Sequence, residues 1–481
     1  MKSRCIFRLV LLSFAARLPA QSPPFTQPVY QVRVEKNVAY GTATNFAGNP
    51  ETLRLDLFKP VGDGQTQRPL WVYVHGGAWL EASVKDTPTD SLLCAEMARR
   101  GYVVANVEYR RGFHRLKNYT PYALCNNVLG QSLCVYAYDT SELVRAVFRA
   151  MQDVKGAVRF LKNRAAQDST DVENVFLGGT SAGGFNALYA AYLDCPGEKP
   201  VACGQLPPVE AAQSSFTACY PPGPVALARP DLGDIEGSLH FGGHDATVAG
   251  VANFFGGTFH NLLAGPPAPR KLPVLWAFHQ TNDVVVDCGV KPPLQSFFEQ
   301  AVYPLNLCQP FTTAPSAAGS CAICDYFQAA GLPASAYSCQ IVQNGPPFVL
   351  ADPPGHSIDN IALRAQQVAD FFSPFITGQT PRPTGAPCAV SSENLPQSTV
   401  DVRVMPNPFQ DEFWLDVHLP QAETVRWRVS DLHGRAVAAG SERLVGGPNR
   451  MRISGDFAPG LHLVWVEAAG RVWRQKVVCQ K

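Results

Sequence analysis

The stretch Gly179-Thr180-Ser181-Ala182-Gly183 constrains this chain most, because of its flanks. Val175-Phe176-Leu177 before it is a short apolar run that reads as a buried strand. Phe185-Asn186-Ala187-Leu188-Tyr189-Ala190-Ala191-Tyr192-Leu193 after it is rich in helix formers, with apolar residues at helical spacing. A strand, a tight glycine turn and a helix, in that order, hold a G-x-S-x-G serine on a strained elbow. Small residues are required on both sides because the strand and helix backbones approach closely. On such an elbow the Ser181 hydroxyl projects from the carboxyl edge of a sheet. The backbone N–H groups that follow point at developing negative charge.

Two further segments supply matching chemistry. Leu70-Trp71-Val72-Tyr73-Val74 is apolar and β-prone, and it ends in His75-Gly76-Gly77-Ala78-Trp79. Glycines directly after a strand let backbone N–H groups face a cavity unobstructed. An oxyanion hole requires this, each donor being worth roughly 3–4 kcal/mol of barrier. Val274-Leu275-Trp276-Ala277-Phe278 is another buried-strand run, followed by His279-Gln280-Thr281-Asn282-Asp283. A carboxylate just past a strand end sits on the same rim as Ser181. Pro353-Pro354-Gly355-His356 then precedes a helical stretch and puts a histidine in a loop. The chain order is Ser181, Asp283, His356.

With those residues in place, the stretch from about residue 30 to 377 resembles the α/β-hydrolases, in the esterase branch marked by a His-Gly-Gly oxyanion motif. The resemblance implies Ser181 as the elbow nucleophile, Asp283 as the acid after the penultimate strand and His356 as the base in the last loop. It implies the N–H groups of Gly76, Gly77 and Ala182 as oxyanion donors, with no metal and no organic cofactor. Trp79 is expected to form an apolar wall of the substrate pocket. Gln280 departs from the family pattern, which often has glycine after the histidine.

Other residues compete for these roles. Asp287 is the alternative acid, with Asp283 then merely capping a turn. His240, His244 and His260 are alternative bases, but they precede the penultimate strand, and chain order argues against them. His75 reads as structural, since its neighbours serve through backbone groups. A metal site built from His240, His244 and Asp245 matches no zinc spacing.

A chain of 481 residues exceeds what one hydrophobic core usually supports, so two units are expected. No stretch approaches the roughly 20 apolar residues of a membrane span. A net charge of +1 implies neither nucleic acid nor an anionic surface as partner. Lys2, Arg4 and Arg8 ahead of Leu9-Val10-Leu11-Leu12-Ser13-Phe14-Ala15-Ala16 read as an export signal over residues 1–20, cleaved before Gln21. Fourteen cysteines suit an oxidising compartment, and removing Cys5 leaves thirteen, so at least one thiol is free. Cys94, on an apolar helix face, is the candidate. Cys125 with Cys134, and Cys195 with Cys203, are close enough in sequence to close small loops. Cys321 and Cys324 read as structural half-cystines.

The region around these motifs alternates between strand and helix. A strand at Tyr102–Val107 follows a helix around Leu92–Arg99. Leu143, Val147, Met151, Val154, Val158 and Leu161 mark a long amphipathic helix. Val248–Phe255 is a further strand candidate, and Ile361, Ala365, Val368, Phe371 and Phe375 mark a last helix. Segments at about 112–140, 196–232 and 305–346 fit neither pattern and read as insertions over the active rim. Residues 21–378 thus form an expected catalytic domain, followed by a proline-rich linker over 379–398.

From Val400 the pattern becomes alternation, with Phe413, Leu415, Val417 and Leu419 interleaved with Trp414, Asp416 and His418. This predicts a small antiparallel β-sandwich over 399–481. Met405-Pro406-Asn407-Pro408-Phe409, Asp431-Leu432-His433-Gly434-Arg435, Ala458-Pro459-Gly460-Leu461-His462-Leu463 and Arg474-Gln475-Lys476-Val477-Val478 carry a second resemblance. The domain is similar to the C-terminal sorting domains of type IX secretion in Bacteroidota; a carbohydrate-binding sandwich is the alternative. The two resemblances imply an α/β fold with a small all-β domain, and a secreted or cell-surface serine hydrolase of carboxylic esters. Its implied partners are a small-molecule or polymer-borne ester and the type IX secretion machinery, with no nucleic acid and no transmembrane segment. An amide hydrolase on the same fold and a non-catalytic adhesion module are the alternatives.

Overall fold

The computed structural model describes residues 24–80, 83–116, 139–212, 225–259, 271–293, 315–343, 355–384, 401–405, 409–419, 422–431, 435–468 and 471–480. The expected export signal, the Cys125/Cys134 pair and His260 lie outside the described residues. The chain divides into two compact units, residues 1–389 and 390–481.

Eight strands build the central sheet of the first unit. They are β1 (Gln31–Thr44), β2 (Pro50–Val61), β3 (Arg68–Val74), β4 (Val103–Val107), β5 (Thr170–Thr180), β6 (Gly250–Phe254), β7 (Val274–Gln280) and β8 (Tyr337–Val342). Their spatial order is β1-β2-β4-β3-β5-β6-β7-β8. The β1–β2 and β2–β4 pairs are antiparallel, and all pairs from β4 onward are parallel. This is the α/β-hydrolase order. The strand pattern shows why the sheet forms: in β3, Leu70, Val72 and Val74 enter one core while Trp71 and Tyr73 enter the other. A strand buried on both faces can be apolar throughout.

Helices cover both faces. They are α1 (Pro88–Arg99), α2 (Thr140–Asn163), α3 (Ala182–Tyr192), α4 (Ser320–Ala329) and α5 (Ile361–Ile376). On one face α2, α3 and α4 contribute Leu143, Val147, Leu188 and Ile323 to the core. On the other, α1 and α5 contribute Leu93, Met97, Val368 and Phe372. Three helix starts are fixed by side chains that satisfy free backbone donors, namely Thr87, Asp139 and Asn360. Among the described residues no helix is long and apolar enough to cross a membrane.

All three segments expected to be irregular contain some regular structure. Within 305–346, α4 forms and β8 pairs with β7 at the sheet edge. Tyr337-Ser338-Cys339-Gln340-Ile341-Val342 is only half-buried, and an edge strand needs no continuous apolar run, which hides it in the sequence. Within 196–232, Leu206–Ala212 pairs with Val225–Arg229, and Arg115–Leu116 adds to its other side. The proline-rich stretch after α5 also differs from expectation. Leu272 N–H donates to Pro383 O at 2.7 Å and Arg382 Nη1 to Val248 O at 3.0 Å. The chain is therefore held on the first unit past residue 379, because prolines keep their carbonyl acceptors although they lack the donor.

Cys288–Cys321 and Cys324–Cys339 tie α4 to the loop after β7 and to β8. Cys94, Cys203 and Cys479 carry free, buried thiols. Cys195 is disulfide-bonded while Cys203 is free, so the small loop that their spacing would allow is not closed by a Cys195–Cys203 bridge.

The second unit holds seven described strands: β9 (Asp401–Met405), β10 (Glu412–Leu419), β11 (Glu423–Ser430), β12 (Ala436–Leu444), β13 (Gly447–Ser454), β14 (Gly460–Ala468) and β15 (Arg471–Cys479). They form two antiparallel sheets, β9-β10-β13 and β12-β11-β14-β15. Phe413, Leu415 and Val417 of one sheet share a core with Val425, Val429 and Val464 of the other. Alternate residues of each strand thus face inward, as a two-layer β structure requires.

Candidate active site

Ser181 stands between β5 and α3 with φ 52° and ψ −123°, a backbone conformation costly for a residue with a side chain. Two glycines make this turn possible. A Cβ on Gly179 would lie 2.2 Å from Gly183 O, and one on Gly183 would lie 2.0 Å from Val74 O. The Ser181 N–H donates to Phe254 O at 3.0 Å, which ties the elbow to β6.

The strand-end loops bring the acid and the histidine to this serine. The Ser181 hydroxyl is 2.8 Å from His356 Nε2, and His356 Nδ1 is 2.8 Å from Asp283 Oδ2. With Nδ1–H donating to the carboxylate, Nε2 is left to accept the serine proton. Asp283 is fully buried, and its other oxygen accepts from the N–H groups of Val285 and Val286 at 2.8 and 3.0 Å. Burial alone would raise the Asp283 carboxyl. The charge of His356 and the hydrogen bonds from His279 and His356 outweigh burial and hold it below its ordinary value. Gly355, at φ 75°, lets the histidine loop close on the acid, since a Cβ there would meet Asp283 N at 2.5 Å. Phe255 packs edge-on against the His356 ring at 4.7 Å.

The alternative residues do other work. Asp287 accepts from Gly289 N–H at 2.8 Å and pairs with Lys291 at 3.4 Å. The Asp245 carboxylate accepts from Lys162 at 2.9 Å and from Thr247, and His240 bonds Tyr40 O. Asp194, Cys195 and Glu198 approach closely enough to share an ion, but Glu198 caps the local turn and the Cys195 sulfur is in a disulfide.

The glycine turn after β3 lies beside the serine, for a Cβ on Gly76 would stand 3.3 Å from Ser181 Cβ. Gly77, Ala78 and Trp79 all have positive φ, 113°, 52° and 56°; glycine adopts this freely, while Ala78 and Trp79 are strained by it. His75 braces it. Its Nδ1–H donates to Gly76 O at 2.7 Å, and its ring stacks on Tyr109 at 4.6 Å. Burial pushes the His75 ring down from 6.5 to about 3, so it stays neutral at working pH. Ala182 is the first residue of α3, where the backbone N–H has no intrahelical acceptor. Trp79 is 4% exposed. It donates to Asn186 Oδ1 at 2.9 Å and packs against Phe185 and Phe259.

Behind the acid stands a group that sequence reasoning missed. His279, the sixth residue of β7, is fully buried with Nε2 at 3.2 Å from Asp283 Oδ2 and 2.8 Å from Val286 O. Ser320 N–H donates to His279 Nδ1 at 3.2 Å, so Nδ1 carries the lone pair and Nε2 the proton. The Ser320 hydroxyl, 2.9 Å from Nδ1, itself accepts from Asn253 Nδ2 at 3.1 Å. The available signal was a histidine directly after the apolar run Val274–Phe278, four residues before the acid.

The BD-FAE family model matches residues 55–119. The chain is similar to the solved structure of Thermogutta terrifontis esterase 2 phosphorylated by paraoxon, with 17% identity and a TM-score of 0.37 over 72% of this chain and 94% of that one. It is also similar to a truncated form of carbohydrate esterase from gut microbiota, with 15% identity and a TM-score of 0.37 over 74% and 99%. No curated protein matches the chain. The matched residues 55–119 run from β2 through the His75-Gly76-Gly77 turn to the segment after β4.

Proposed function

We propose that the first unit is a serine hydrolase that cleaves carboxylic esters through an acyl-enzyme. The observation that carries this reading is the unbroken relay from Ser181 Oγ through His356 to the buried Asp283 carboxylate, at 2.8 Å for each link. His356 Nε2 takes the serine proton as Oγ bonds to the ester carbonyl carbon. Asp283 holds the ring tautomer and stabilises the imidazolium. The carbonyl oxygen becomes an oxyanion within reach of the N–H groups of Gly76, Gly77 and Ala182. Collapse breaks the ester C–O bond, and His356 gives its proton to the departing alcohol. Water then repeats the sequence on the acyl-serine and releases the acid. Trp79 supports the loop and gives the acyl or alcohol side an apolar wall. The match of the BD-FAE model to the stretch holding the His75 turn agrees with this reading.

The remainder of the chain is an export apparatus. Residues 1–20 act as the signal, and the second unit acts as a type IX sorting domain, supported by the four sequence segments that resemble that class and by its antiparallel two-sheet form. The protein then works outside the cell or on its surface.

The test is hydrolysis of p-nitrophenyl acetate, butyrate and octanoate by the full chain, with Ser181→Ala beside it. Turnover that the substitution lowers by at least about 10⁴-fold is expected. Folded protein without Ser181-dependent turnover on any ester refutes the reading; Ser181-dependent cleavage confined to anilides moves it to amides.

A further inference from the structure

A cavity of about 250 Å³ opens between the Thr44–Gly48 turn, the segment after β4 and helix α2. At ~30 Å³ per water it could take about eight waters, the size of a small organic molecule. Arg110, His114, Arg145 and Arg149 line it together with Phe46, whose ring lies 5.5 Å from that of His114.

The charges around it do not balance in place. Arg110 is neutralised by Asp153, with contacts of 2.8 to 3.0 Å. Arg145 and Arg149 are 2% and 3% exposed, and among the described residues neither is ion-paired. Arg145 donates to the carbonyls of Ala202, Gly204 and Pro230. Arg149 donates to Gly112 O at 2.8 Å, while its Nε has no partner. His114 Nδ1 is also buried and unbonded. The acids at the site, Glu142 and the cavity-lining Asp231, are committed elsewhere. Glu142 accepts from His114 N–H and Arg229, and Asp231 is held by Lys199 and Gly233 N–H. Burial, against the pull of Glu142 and with the repulsion of Arg110 and Arg145, lowers Arg149 to about 10. A buried guanidinium without a counter-charge is costly, and an unbonded buried donor adds to that cost.

We infer that this cavity binds a small carboxylate-bearing molecule, with its anionic end on Arg149 and Arg145 and its apolar part against Phe46 and His114. A guanidinium fork matches both carboxylate and phosphate. The aromatic wall favours an organic acid over an inorganic ion. The site does not depend on the triad, yet it is one residue removed from the oxyanion loop. Gly112, whose carbonyl accepts from Arg149, donates its N–H to Trp79 O at 2.7 Å.

The experiment is titration calorimetry and thermal unfolding of the full chain carrying Ser181→Ala, which keeps ester chemistry out of the readout. The probes are benzoate, glucuronate and inorganic phosphate, with sodium chloride at matched ionic strength. Saturable binding of a carboxylate is expected, with a rise in Tm of several degrees near saturation. Arg149→Gln and His114→Gln should each weaken it at least tenfold; His114→Gln serves if the arginine variant does not fold. Binding of phosphate alone, saturable heat from no probe, or carboxylate binding unchanged in both variants would each overturn the assignment.

Discussion

Replacing His75 by glutamine isolates what it costs to keep a neutral histidine under the glycine turn. The ring is fully buried, its Nε2 has no hydrogen-bond partner, and burial lowers it from 6.5 to about 3. A folded value below the unfolded one means that the unfolded chain binds the extra proton between about pH 3 and 6.5. Stability from this group is therefore complete above about pH 6.5 and declines as pH falls, levelling off below about pH 3. At 1.36 kcal/mol per unit, the ring removes about 2.5 kcal/mol between pH 7 and pH 4.5, and about 5 kcal/mol at the acid limit. Glutamine does not titrate and can still donate to Gly76 O. Urea unfolding followed by tryptophan fluorescence at pH 7, 5.5 and 4.5 reads the effect. The unsubstituted chain should lose about 2.5 kcal/mol more than His75→Gln over that range. Comparing the two profiles cancels every other titrating group. Parallel profiles would mean that the ring is solvated or already charged, and would refute the reasoning.

Two other perturbations follow from the surroundings of the acid. His279→Leu removes the Nε2–H that is shared between Val286 O at 2.8 Å and the buried Asp283 carboxylate at 3.2 Å, an interaction with a charged group worth at most about 1.5–3 kcal/mol. It should lower kcat on p-nitrophenyl acetate by roughly 10- to 100-fold and move the acid limb of the kcat/KM profile to higher pH. The limb moves because losing His279 removes one of the contacts that hold the Asp283 carboxyl below its ordinary value. An unmoved limb with reduced activity would reduce His279 to a packing role. Replacing Cys288 and Cys321 together by alanine opens a link across 33 residues and should cost about 3–4 kcal/mol in urea unfolding. Equal stability with and without the bridge would contradict that expectation.

The legible parts of this fold are those where local pattern and tertiary role coincide. The apolar runs at Leu70–Val74, Val175–Leu177 and Val274–Phe278 are strands buried on both faces, so their composition announces them. Ser181 was legible because its turn tolerates only glycine at 179 and 183. The order of Ser181, Asp283 and His356 is written in the chain, and the fold brings those three side chains together. Elements answering to distant partners were not legible. Ser320 meets His279 across 41 positions, and nothing near it in sequence foretells the contact. Strand β8 reads as a loop because half its surface is wet, and the disulfide partners of Cys321 and Cys324 lie outside any local spacing. Residues 379–384 look like a tether by composition alone, yet the Arg382 guanidinium donates to Val248 O and the Pro383 carbonyl accepts from Leu272 N–H.

The buried thiols govern how this chain ages. Burial pushes Cys203 up to about 12 and Cys94 well above its ordinary value. Only a thiolate attacks a disulfide, and at neutral pH a thiol with a value near 12 is ionised on the order of 10⁻⁵ of the time. Unfolding returns the same sulfur to its ordinary value near 8.5 and raises that fraction by about three orders of magnitude. The folded chain thus shields its own cross-links from its own sulfur, and each opening at neutral or alkaline pH starts a clock on bond reshuffling. Service life then depends on how often the molecule opens, a matter of unfolding rate rather than of equilibrium stability.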